Sequence, residues 1–451
     1  MGITIVQKSD LSKAHIGARK ALVLAGGAIS GGAFKLGGLE AFDRFLGSTR
    51  VNDFDMFMGI SAGAFIAAPI AGGLPPSELV EAFVGEPRRM PRFRMADFYY
   101  PNFGELWSRP VAGLSELAKM GPRATGRLLR SLPELVAPLT ARARAFLAEP
   151  GLETAEALAA PVLEALADPD PQPFGWLPSG LFDNRRIEAY VRESLERNGI
   201  PNDFRQLKLS RGKSLYIGAT NINTAQGAVF GHDEDHSVTI SEAVQASTAI
   251  PGFFRPARIG PPGREQDYVD AAVRKTANIS VPVRHGAQLV VCYNPFRPFV
   301  NYRHRLVSDG RSSIADLGMA VILNQAFRTM LHSRLRLGIE KLKLDENFRG
   351  DVILIEPTET DARFFSMNPV AFWARKAAAE HGFESVKLSL HRHYESLRNI
   401  LGAYGIKVDL AAIGDSLRGE GRDRGRARPE ADDSGRAEPR PSLRVVAGGR
   451  R

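Results

Sequence analysis

The sequence predicts an α/β protein with a mostly parallel central sheet, and two observations carry that expectation. Short apolar runs of strand length alternate with stretches of helical period, the pattern of a sheet covered on both faces. Two of those runs end in glycine-bearing turns that lead into helices, at Ala25–Gly32 and at Gly59–Gly63. The chain has 451 residues, 44% of them hydrophobic, enough for one large α/β domain with additions.

The elements follow in order. Met1–Lys20 has no apolar signal-peptide core, and Val6 stands where a myristoylation signal wants Ser or Thr, so a cytoplasmic location is expected. Lys20–Ala25 reads as a buried strand, followed by a helix through Phe34, Leu36, Leu39 and Phe42. Asp55–Ile60 reads as the second strand. The run Met56–Leu74 is apolar enough to resemble a membrane span, but Pro69 and its glycines make it a buried strand and helix instead. Residues 88–180 hold prolines and amphipathic stretches and read as a helical insertion or cap. Strand signals resume at Ser214–Ala219, Ala228–Phe230, Ser237–Ile240, Asp267–Val269 and Gln288–Tyr293. The main α/β domain is thus placed at 18–300. Residues 301–416 read as a mainly helical extension, interrupted by a strand-like run at Asp351–Ile355.

Formal charge is +9, and the tail from Leu417 to Arg451 contributes 10 Arg against 6 acids. Its composition cannot bury enough apolar surface to fold, so residues 417–451 are expected to be a disordered basic tail. The interspersed acids argue against nucleic acid as its partner. The single cysteine, Cys292, excludes an intrachain disulfide and sits in a strand-like run as core filler.

Chemistry concentrates at Gly59-Ile60-Ser61-Ala62-Gly63. A serine on a strand-to-helix turn has a strained backbone and an exposed hydroxyl, and the helix start favours developing negative charge. The turn at Ala25–Gly32 offers free backbone N–H groups to an anion. A dinucleotide fingerprint fails there because Ala28 stands where G-x-G-x-x-G needs glycine at its third position, and no Gly-Lys-Ser/Thr follows to make a phosphate loop. An oxyanion needs only two backbone donors, here from Gly26, Gly27 and Ala28. A base must take the serine proton. His285, His304, His332, His381, His391 and His393 lie in no recognisable strand-end context, and His232–His236 reads as a polar turn rather than a metal site. Asp270, ending the run Tyr268-Val269-Asp270, is the better candidate base.

Together these segments resemble the patatin-like phospholipases, serine hydrolases with a Ser–Asp dyad. Leu22–Gly31 is similar to the family's glycine-rich oxyanion loop, Gly59–Gly63 to its nucleophile motif, and Ser241–Phe254 to the segment beneath the site; Asp270 falls where the dyad base lies. The resemblance implies a three-layer patatin-like fold and an acyl hydrolase of lipids or esters. Its catalytic residues would be Ser61 and Asp270, with no cofactor and no metal. Two departures stand out. Ala28 replaces a loop glycine, which is harmless to the oxyanion N–H provided φ is negative there. Ala271 replaces the glycine after the dyad Asp and would strain the turn if φ were positive. An acyltransferase, or a weakened membrane-binding scaffold on the same fold, remains open. Cations and aromatics interleave over Arg88–Met95 and Phe98–Tyr100, which fits either contact with an anionic membrane surface or packing on the core.

Overall fold

The computed structural model describes residues 2–85, 87–106, 178–302 and 313–417, with scattered positions between 108 and 157. Most of the expected insertion, and the tail beyond Leu417, lie outside the described residues.

The strands in chain order are β1 (Ile3–Val6), β2 (Arg19–Leu24), β3 (Met56–Gly59), β4 (Gly180–Phe182), β5 (Ser214–Asn221), β6 (Gly227–Gly231), β7 (Gly252–Phe254), β8 (Ala257–Ile259), β9 (Gln266–Asp270), β10 (Ala287–Tyr293) and β11 (Asp351–Ile355). The main sheet runs β1-β11-β10-β2-β3-β5-β9-β8, with β6 also paired to β5. From β11 to β5 all neighbours are parallel, whereas β1, β6, β8 and β9 add antiparallel edges. β4 and β7 form a separate parallel pair.

Alternation along the parallel strands divides the core in two. Leu22, Leu24, Phe57, Leu289, Val291 and Ile353 face one side, under helices α1 (Ala28–Phe45) and α2 (Ala62–Ala71) and the helix Arg375–Arg392. Ala21, Val23, Met58, Val290, Cys292 and Val352 face the other, covered by Leu331, Leu335 and Ile339 of the helix Met319–Leu344. These are the three layers of the predicted fold.

The region expected as an appended extension builds this core. β11 lies between β1 and β10, and Met1–Leu417 forms one compact unit. The helix Arg375–Arg392 crosses α1 so closely that a Cβ at Gly37 would sit 1.8 Å from the Ala379 carbonyl oxygen, and one at Gly382 would sit 2.0 Å from that of Phe34.

Two local expectations change. β1, in the polar-looking N-terminus, pairs with β11 from Ile3↔Ile355 to Val6↔Val352. Ser237–Ile240 is not a strand. Thr239 caps the helix Ile240–Thr248 in a capping box, its hydroxyl accepting from the Glu242 N–H (3.3 Å) while Glu242 accepts from the Thr239 N–H (2.8 Å). Reciprocal capping outweighs the β-propensity of Val238 and Ile240. Among the described residues no helix is long and apolar enough to cross a membrane.

Candidate active site

Ser61 lies one residue beyond Ile60, which follows the end of β3, and caps α2, with φ 54° and ψ −126°, a conformation that L-residues rarely adopt. Glycines permit the bend. A Cβ at Gly63 would lie 2.1 Å from the Leu24 carbonyl oxygen, and one at Gly59 would lie 2.4 Å from Ala64 Cα. The Ser61 N–H donates to Ser247 Oγ at 2.8 Å, so the helix Ile240–Thr248 holds the turn from beneath.

Sheet register carries Asp270 to the same level. Gly59 aligns with Ile217 on β5, so position 61 is level with 219, and Ala219 aligns with Asp270 on β9. The Asp270 N–H donates to the Ala249 carbonyl (2.8 Å). Its carboxylate accepts from the Ala272 N–H (2.8 Å), and the Ser61 hydroxyl is near enough to favour its ionised form. Burial raises the Asp270 pKa to about 6, against the lowering influence of Ser61, the Ala272 N–H and the Lys35 charge.

Ala271 opens a short 3-10 turn, and its φ is not positive, so the strain anticipated there is absent. Ala28 differs in the other direction. Its φ is +48°, not negative, so the loop carries a left-handed alanine where glycine would rest unstrained.

The N–H groups of Ile29 and Ser30, at the start of α1, both donate to the Pro369 carbonyl at 3.0 Å. No acceptor among the described residues takes the N–H groups of Gly26, Gly27 or Ala28, and all three residues line the same cleft as Ser61 and Asp270.

Lys35 sets their direction. It is completely buried, and its ammonium donates to the carbonyls of Ala25 and of Gly26, the latter at 3.1 Å. In a trans peptide the carbonyl of one residue and the N–H of the next point opposite ways, and no peptide bond among the described residues is cis. Holding those two carbonyls toward the core therefore turns the N–H groups of Gly26 and Gly27 away from Lys35. Burial lowers the Lys35 pKa to about 7, with Cys292 and Asp270 opposing. The sequence holds a signal for this residue. Lys35 is the only charged side chain between Lys20 and Glu40, in a stretch otherwise apolar or small.

The cleft has a volume of about 480 Å³ and a largely apolar lining that includes Ile250, Phe296, Phe327, Met330 and Val370. A second cavity of about 40 Å³ opens behind Ser61, walled by Phe65, Phe83, Phe93 and Phe98. Among the described residues no histidine lines the cleft. His381 binds Asp361 (2.8 Å), His332 binds Glu356 (3.3 Å) and His285 binds Glu234 (3.0 Å), while His304 lies outside the described residues. The His232–His236 run forms the turn after β6, where Asp233 accepts from the Tyr216 hydroxyl at 3.2 Å.

The segment Arg88–Tyr100 packs inward. Met90, Phe93, Phe98 and Tyr99 are buried while Arg88, Arg89, Arg92 and Arg94 are exposed, so its apolar side chains serve the core and not an outer surface.

Similar solved structures include VipD from Legionella pneumophila, at 16% identity and TM-score 0.35, covering 87% of this chain and 70% of that one. They also include full-length ExoU in complex with SpcU, from the type III secretion system of Pseudomonas aeruginosa, at 16% identity and TM-score 0.25, covering 78% and 56%. Human GIVD cytosolic phospholipase A2 in complex with methyl gamma-linolenyl fluorophosphonate shares 12% identity at TM-score 0.31, covering 86% and 60%. No curated protein matches the chain. The Patatin-like phospholipase family model matches residues 22–283, more than half the chain and a span that includes Gly26–Ala28, Ser61 and Asp270, and the chain belongs to that family.

Proposed function

We propose that the protein is a serine acyl hydrolase of lipid esters, with Ser61 as nucleophile and Asp270 as its base. The observation that carries this reading is the strained Ser61, in one apolar cleft with a buried carboxylate and with three N–H groups that no acceptor among the described residues takes. Ser61 Oγ attacks the ester carbonyl as its proton passes to Asp270. The new oxyanion is held by the N–H groups around Gly26, Gly27 and Ala28. Collapse breaks the ester C–O bond, and the proton on Asp270 leaves with the alcohol. Asp270 then deprotonates a water that attacks the acyl-enzyme, releasing the carboxylic acid and returning the proton to Ser61. None of these steps calls on a cofactor or metal. The apolar lining and the family support a lipid acyl group as substrate.

Labelling with a fluorophosphonate probe tests the reading without knowledge of the natural substrate. The parent chain should label and Ser61→Ala should not. An unlabelled, folded parent would leave the weakened-scaffold alternative standing, and transfer of acyl groups to thiols in preference to water would favour the acyltransferase.

A further inference from the structure

The helix Met319–Leu344 covers the sheet with Leu331, Leu335 and Ile339, and its opposite side faces solvent. Surface helices normally turn polar residues outward. This one exposes Met319 (73%), Ile322 (44%), Leu323 (59%), Phe327 (48%), Met330 (44%) and Leu337 (72%). Helical geometry places these positions on one side, as a stripe about 27 Å long. Phe327 and Met330 belong to the wall of the Ser61 cleft, and Val273, 46% exposed, joins them from the turn after Asp270. The stripe therefore runs from open surface to the cleft. Its surroundings are cationic. The exposed part of the helix carries Arg334, Arg336, Lys341 and Lys343 against Glu340 alone, and Arg274 and Lys275 follow Val273.

We infer that this stripe is the surface by which the protein docks on an anionic lipid bilayer. Apolar side chains enter the acyl boundary, the flanking cations meet lipid phosphates, and an acyl ester passes along Phe327 and Met330 to Ser61. This inference rests on the lipid reading proposed above. It also moves membrane contact away from Arg88–Tyr100, whose apolar residues are buried.

The test uses the full chain carrying Ser61→Ala, so that binding is read without turnover. Sedimentation is measured with phosphatidylcholine vesicles, with and without phosphatidylglycerol. The parent should bind the anionic vesicles more tightly, and less so at high salt. Leu323→Asp combined with Leu337→Asp should weaken that binding at least ~tenfold, since each removes an inserting side chain. Leu209→Asp, at a still more open position (85%) on the separate helix Phe204–Arg211, should change nothing. In chains with Ser61 intact, the double variant should still hydrolyse a soluble short-chain ester while losing hydrolysis of vesicle lipid. Absence of binding by the parent, equal binding to neutral vesicles, or parental binding by the double variant would overturn the inference. A parent dimer that the double variant dissociates, without a vesicle effect, would assign the stripe to self-association instead. If stripe-dependent binding were found with no hydrolysis of any ester, the proposed function would fail and the docking surface would stand.

Discussion

Replacing Lys35 with Met separates the two things this lysine does. Lys35 Nζ donates to the carbonyls of Ala25 and Gly26, and through those peptides it aims the next N–H groups at the cleft. Met fills a similar volume but donates nothing, so both peptides are free to rotate. Losing one well-aimed oxyanion donor costs roughly 10²–10³ in kcat in other serine hydrolases. Two peptides are loosened here rather than deleted, and the expected loss is about 10²-fold in kcat with KM nearly unchanged. Stability moves less because two costs oppose each other. Two buried carbonyls lose a donor, at about 1–3 kcal/mol each. Against this, a completely buried ammonium is removed, whose desolvation costs several kcal/mol.

The pH profile gives a readout that loose packing alone would not move. The Lys35 charge lowers the Asp270 pKa, so in the Met variant the acid limb of the rate should shift to higher pH. The assay is steady-state hydrolysis of a soluble chromogenic ester from pH 5 to 9, with thermal unfolding measured on the same samples. A folded Lys35→Met chain with parental kcat and an unmoved acid limb would refute the assignment of Lys35 as the residue that positions the loop.

Three further outcomes follow from the site. Ser61→Ala and Asp270→Asn should each abolish ester hydrolysis, and the double variant should lose little more because the two act as one unit; near-normal turnover in either folded single variant would break the pair. Ala28→Gly should release roughly 1 kcal/mol of left-handed strain, partly offset by the greater freedom of glycine in the unfolded chain. Activity should persist and the melting temperature should hold or rise, and inactivity in a stable variant would mean that the Ala28 methyl shapes the loop. Asp270 is a base only when ionised, so kcat/KM on a soluble ester should rise with pH through about 6. Its linkage to folding has the opposite sense. Between its ordinary 3.8 and about 6 the folded chain holds more proton at Asp270 than the unfolded one, so stability is lost as pH rises through that window, and Asp270→Asn should flatten the loss in urea titrations.

What the sequence reveals and what it hides divide along the range of the interactions. The Ser61 turn was legible because its cause is local: apolar residues enter it, small ones leave it, and only glycine fits at positions 59 and 63. The central strands were legible because burial on both faces leaves continuous apolar runs. Ile3–Val6 was not, since four residues carry little signal and their partner lies at Val352–Ile355, some 350 positions away. The part that residues beyond 300 play in this core is hidden for the same reason. Periodicity shows that Met319–Leu344 and Arg375–Arg392 are helices, but not that they cover the two faces of a sheet begun at the other end of the chain.

The two features most tied to chemistry were readable only as anomalies. A lysine in the small-residue stretch after Lys20 breaks the pattern of a buried helix, and it is tolerated because the carbonyls of Ala25 and Gly26 accept from it. A helix apolar on both sides breaks the pattern of a surface helix, and only packing shows which side is spent on the core. Leu331, Leu335 and Ile339 face the sheet. That leaves Leu323 and Leu337 exposed on the far side of the helix, in line with Phe327 and Met330 of the cleft wall. Natural sequences depart from local rules mainly where a site requires it. Here both departures converge on Ser61, one from the core beneath the loop and the other from the surface beside it.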